Sequence, residues 1–70
     1  MKLKFNELFE INNGIINPKV EISVEGDILT ANFGFRSGNL IKGINLSEHT
    51  ESFFEVDIIN EIYIIKEIYK

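Results

Sequence analysis

The chain has 70 residues, a formal net charge of −4, 44% hydrophobic content and no cysteine. A chain this short supports a single domain spanning 1–70. It buries only about 60% of the surface exposed by its unfolded form, and its core supplies roughly 3–5 kcal/mol of net stability. Without cysteine, and with His49 as the sole imidazole, the composition excludes a disulfide framework and a zinc site built from Cys and His, while six Phe argue against disorder.

At the N-terminus, Met1-Lys2-Leu3-Lys4-Phe5 runs into Asn6 and Glu7, which leaves no apolar stretch of secretory-signal length. No later run approaches the ~20 apolar residues of a membrane span. The reading is a cytoplasmic protein with no membrane association. Its negative field opposes phosphate backbones, so non-specific nucleic-acid binding is disfavoured.

Thirteen isoleucines fall mostly in short alternating runs between turn signals, the pattern of a sheet around one small core. Leu3, Phe5, Phe9 and Ile11 share a face if residues 3–11 are extended, and Asn6-Glu7-Leu8-Phe9 equally suits one helical turn. Asn13-Gly14 predicts a type I′ hairpin, because both residues tolerate positive φ. Pro18 confines the following strand to an edge or a bulge, since it cannot donate to a ladder. Val20, Ile22 and Val24 alternate with polar neighbours and predict a half-buried strand. Gly26-Asp27 predicts a type II′ turn, and Ile28 to Phe35 then runs back with Leu29, Ala31, Phe33 and Phe35 inward. Leu40 to Leu46 reads as a further strand interrupted by Gly43, and Ser47-Glu48-His49-Thr50 as a connecting loop.

The C-terminal third has two readings. As a helix around 53–69, Ser52-Phe53-Phe54-Glu55 forms a capping box and Ile58, Ile62, Ile65 and Tyr69 recur at helical spacing. As a hairpin, Phe54, Val56 and Ile58 alternate with acids, Asn60-Glu61 turns, and Ile62 to Tyr69 returns. Seven β-branched residues between Val56 and Ile68 favour the hairpin, because each loses rotamer freedom in a helix and packs well on a pleated surface. The resulting fold class is all-β: a small antiparallel meander or partly closed barrel of about six short strands, with an α+β arrangement as the alternative.

No acid lies between Asp27 and Glu48, an interval that holds Arg36, Lys42, three glycines and the polar residues Asn32, Ser37, Asn39 and Asn45. Arg36, Ser37, Asn39 and Lys42 are the candidate residues for a small anionic ligand such as a nucleotide or phosphate, with backbone N–H groups aimed at the anion. The glycines match neither a Walker loop nor a dinucleotide fingerprint. Asn32-Phe33-Gly34-Phe35-Arg36 resembles the base-stacking strands of cold-shock and RNA-recognition domains, yet the parity of Phe33 and Phe35 with Leu29 assigns them to the core.

Acids gather at the other end of the chain, with Glu48, Glu51, Glu55, Asp57, Glu61 and Glu67 set against Lys66 and Lys70. Tyr63 and Tyr69 share a strand face with Ile65 on simple alternation, opposite Ile62, Ile64 and Ile68. A terminal strand apolar on both sides is either sandwiched between layers or covered by a second chain. His49 near Ser47, Glu48 and Ser52 lacks an oxyanion hole and a rigid frame, and no metal site or cofactor is expected.

The leading expectation is a non-enzymatic binding protein acting through a protein–protein surface, on itself as a homo-oligomer or on a larger target, with Glu55, Asp57, Tyr63 and Tyr69 as partner-binding residues. In size, acidity and absence of catalytic motifs the chain resembles small accessory or inhibitory proteins of phages and mobile elements. The alternative is anion capture by the Arg36–Lys42 loop.

Overall fold

Left-handed backbone at two successive residues turns the chain tightly at four places: Asn13-Gly14, Glu25-Gly26, Lys42-Gly43 and Asn60-Glu61. Positive φ at both central residues matches the right-handed twist of flanking strands, so these turns organise the architecture. A computed structural model describes residues 1–69, and Lys70 lies outside the described residues. Its elements are β1 (Lys2–Lys4), α1 (Phe5–Leu8), β2 (Phe9–Asn12), β3 (Ile15–Pro18), β4 (Ile22–Val24), β5 (Asp27–Leu29), β6 (Phe35–Arg36), a 3₁₀ turn (Leu46–His49), β7 (Phe53–Ile59) and β8 (Ile62–Tyr69). The fold is all-β, as the isoleucine pattern predicts.

Eight strands rather than about six form two sheets, one in the order β1-β7-β8-β4-β5 and the other β2-β3-β6. They do not close into a barrel, and the larger sheet is not a simple meander, because β4 pairs parallel with β8 while all its other pairs are antiparallel. The helical reading of 53–69 is replaced by the β7–β8 hairpin turning at Asn60-Glu61. Ser52, the expected cap of that helix, instead bonds back to His49, its N–H donating to the His49 carbonyl at 3.1 Å.

Several local expectations shift by a few residues. The β4–β5 turn is Glu25-Gly26, since Val24 pairs with Asp27; Gly26 takes the second positive-φ position of an I′ geometry, at 95°, instead of the first position of a II′ turn. β5 ends at Leu29, and a turn closed by Phe33 N–H donating to the Thr30 carbonyl leaves Phe33 exposed against the ring of Phe35. Leu40 to Leu46 forms no long strand: Ile41 and Ile44 exchange both backbone hydrogen bonds, at 2.9 Å each, across Lys42-Gly43. Residues 5–8 take the helical turn, with the Glu7 carboxylate accepting from the Lys4 N–H at 2.9 Å. Pro18 closes β3 beyond the reach of β6, which covers only Ile15 and Ile16, so no ladder bond is lost there. Gly34 lies against β3, where an added Cβ would meet Ile15 Cγ2 at 2.9 Å.

The core lies where the two sheets meet. Phe9 of β2 is its hub, stacked on Phe5 at 4.9 Å and set edge-on to Phe35 at 6.2 Å and tilted against Phe54 of β7 at 6.3 Å. Such pairs add about 0.5–1.5 kcal/mol beyond area burial. Leu8, Ile16, Ile22, Val24, Leu46 and Val56 complete the fully buried set.

Candidate functional site

The inner face of the five-stranded sheet packs on this core except at Ile58, which is exposed near the hairpin turn, and no strand or helix of the described residues lies over its outer face. Pairing fixes the outer set: Ile59 opposes Ile62, Asp57 opposes Ile64, Glu55 opposes Glu67 and Phe53 opposes Tyr69. Across β4 and β5 the row continues from Ile64 through Ser23 to Ile28. Ile59 is 54% and Ile28 48% exposed, with Ile62 and Ile64 half-buried beside them. Ile59, Ile62 and Ile64 lie together at the Asn60-Glu61 end of the sheet, and Ile28 lies two strands away across Ser23. The other end is charged and aromatic, with Lys2 opposite Glu55 and Lys4 opposite Phe53.

A β-bulge decides which residues belong to this face. Glu55 pairs with Glu67 but Val56 with Ile65, so Lys66 is an extra residue in β8 and the alternation reverses across it. Simple alternation puts Tyr63 and Tyr69 on one side; the bulge puts them on opposite sides. Tyr63, Ile65 and Ile68 pack against the core, while Ile62, Ile64, Glu67 and Tyr69 lie on the outer face.

Of the partner-binding candidates, the outer face therefore gathers Glu55, Asp57 and Tyr69 and leaves out Tyr63. Glu55 Oε2 lies 2.9 Å from the Met1 ammonium, and Asp57 Oδ2 lies 4.0 Å from Lys66 Nζ. The Lys2 ammonium sits 4.7 Å over the Tyr69 ring. A hydrogen bond to the Glu67 carboxylate raises the Tyr69 phenol above its ordinary pKa, because ionisation would place a second negative charge beside the first. These exposed pairs set orientation more than stability. Sequence reasoning missed Ile28, Ile59, Ile62 and Ile64 as a surface; their two-sided apolar pattern was visible, but the facing of Ile28 depends on pairing with strands distant in the chain.

The anion-site candidates take separate roles. Lys42 Nζ lies 3.7 Å from Asp27 Oδ1, at the edge of the acid-free interval. Asn39 N–H donates to the Arg36 carbonyl at 3.1 Å, and Gly38 N–H donates to Ser47 Oγ at 3.3 Å. Asn45 Oδ1 accepts from the Ser47 N–H at 3.2 Å and from its hydroxyl, closing the start of the 3₁₀ turn. The side chains of Arg36, Ser37, Asn39 and Lys42 are exposed. His49 Nδ1 lies 3.2 Å from Ser52 Oγ, a contact across one turn, with Ser52 buried.

Clefts interrupt the surface of the described residues, two of them large enough for a side chain. One of about 220 Å3 lies between Lys4, Asn6 and residues 50–53. The other, about 240 Å3, opens beside the end of β4, floored by Val24, Ile44, Ile65 and Ile68 and edged by Glu25, Lys66 and Glu67. Neither is lined by Arg36, Ser37, Asn39 or Lys42. Among the described residues no group of His, Cys, Asp and Glu is placed to hold a metal ion, and no helix is long and apolar enough to cross a membrane. Comparison with protein families, with curated proteins and with solved structures finds no match to this chain.

Proposed function

We propose that this chain is a non-enzymatic binding protein that works through a protein–protein surface, the outer face of its five-stranded sheet. The observation that carries this reading is the row of Ile28, Ile59, Ile62 and Ile64 on that face, with no strand or helix of the described residues over it. An apolar centre rimmed by Glu55, Asp57, Lys66 and Tyr69 has the anatomy of an interface, in which desolvated aliphatic groups supply affinity and rim charges select the partner. A small accessory or inhibitor protein of phage type fits this economy of parts: a minimal core holding one recognition face.

A photo-crosslinking side chain at Ile59 tests it, with Glu10 on exposed β2 as the control position. In the native cell, position 59 is expected to yield a discrete adduct that charge reversal at Glu55 and Asp57 weakens, and position 10 none. Absence of an adduct from position 59, or equal adducts from both, sinks the reading. Light scattering at micromolar concentration then says whether the covering chain is a second copy.

A further inference from the structure

The larger sheet also holds a gap. β8 pairs with β7 along its whole length, but β4 accompanies it only from Tyr63 to Ile65. At Glu25-Gly26 the chain turns away to β5 on the far side of β4, so among the described residues no strand pairs with Lys66–Tyr69 on that side, and Ile44 borders the space. Four residues at a rise of ~3.3 Å make an opening about 13 Å long. Backbone groups of β8 that face away from β7 line it, and an extended segment pairs with such a row better than any other conformation does.

The cleft beside this opening states the chemistry of what fits. Its floor of Val24, Ile44, Ile65 and Ile68 is apolar, and its volume of about 240 Å3 exceeds the ~150 Å3 of a dry cavity that accepts a benzene ring. One aliphatic or aromatic side chain of an added strand fills it. Neighbouring side chains of that strand point to the outer face, where Glu67 lies, and Glu25 and Lys66 also edge the opening, so two carboxylates face one ammonium there. A second copy of this chain would bring another net charge of −4 against a chain that already carries −4, whereas a basic segment is complementary to that charge and to Glu25 and Glu67.

We propose that the open stretch Lys66–Tyr69 of β8 receives an extended segment of a partner protein in which apolar residues alternate with lysine or arginine, one apolar side chain entering the cleft between Val24, Ile44, Ile65 and Ile68. The proposal goes beyond the outer face: it uses a different surface, so either can fail alone.

The probe is a short fluorescein-labelled peptide alternating lysine and leucine, compared with the same peptide N-methylated at alternate amides, which keeps charge and side chains but blocks strand pairing. Fluorescence anisotropy is expected to show saturable binding by the intact chain and a loss of about tenfold or more on N-methylation. Amide shifts in NMR spectra should concentrate at Lys66–Tyr69 and Glu25. Glu67→Lys should weaken binding, while Ile59→Lys on the outer face should leave it unchanged, which separates failure here from failure of the outer-face reading. Equal binding of the N-methylated peptide, or shifts that avoid residues 66–69, overturns the proposal. So does a dimeric chain whose amides 66–69 are already protected, since a second copy would then fill the opening.

Discussion

The β7–β8 ribbon has two faces built from nearly the same kinds of residue in opposite environments. Phe54 and Val56 on one side are sealed beneath the second sheet, which does not reach Ile58 near the turn, while Ile59 on the other side is exposed and Ile62 and Ile64 are half-buried. Isoleucine and valine have similar β preference and similar transfer energies, so identity alone does not separate core from surface. What separates them is coverage: the smaller sheet, α1 and the 3₁₀ turn all pack on one side. The inner face carries the core, and the outer face is the one proposed for recognition.

The largest break in this comparison comes from removing the hub of the covered side. Phe9→Ala should cost about 3–5 kcal/mol, comparable to the whole stability of a chain this small, and circular dichroism should find it largely unfolded at 25 °C. The turn joining the two strands sharpens the picture in the other direction. Glu61 holds φ at 66° without the freedom of glycine, so Glu61→Gly should raise stability by about 1 kcal/mol and move the urea midpoint upward. On the uncovered side, Ile59→Lys should change the urea midpoint by no more than about 0.5 kcal/mol in equivalent stability, because Ile59 is already half in water. A loss as large as that of Phe9→Ala would show that the two faces do not differ as described.

The smallest effect is a titration. Tyr69 holds its proton more tightly in the folded chain than in the unfolded one, so its contribution to stability is complete below pH ~10 and is lost as pH rises through the higher folded value. Ultraviolet titration should show the Tyr69 phenolate forming at lower pH in Glu67→Gln than in the parent chain. An unchanged curve would remove Glu67 as the cause.

The turns at Asn13-Gly14 and Asn60-Glu61 were legible because positive φ is a steric property of one or two residues, and the β7–β8 hairpin because β-branched side chains carry their preference locally. The Gly26 turn was displaced by one residue, and the turn type with it, since Glu25 accepted the left-handed position that composition reserved for glycine and asparagine. The site was legible in part. Glu55, Asp57 and Tyr69 do share a face, but simple alternation carried Tyr63 there too, because a bulge such as that at Lys66 leaves no composition signal.

By itself, then, the sequence determined an all-β fold, its main reversals and a terminal strand apolar on both sides, all set by backbone sterics and side-chain shape within a few residues. Only the tertiary structure decided that β4 lies parallel to β8, that the bulge turns Tyr63 inward and Tyr69 outward, and that Ile28 joins Ile64 across Ser23. Those facts depend on pairing between segments far apart along the chain, where burial of one whole face selects the register and no local preference can.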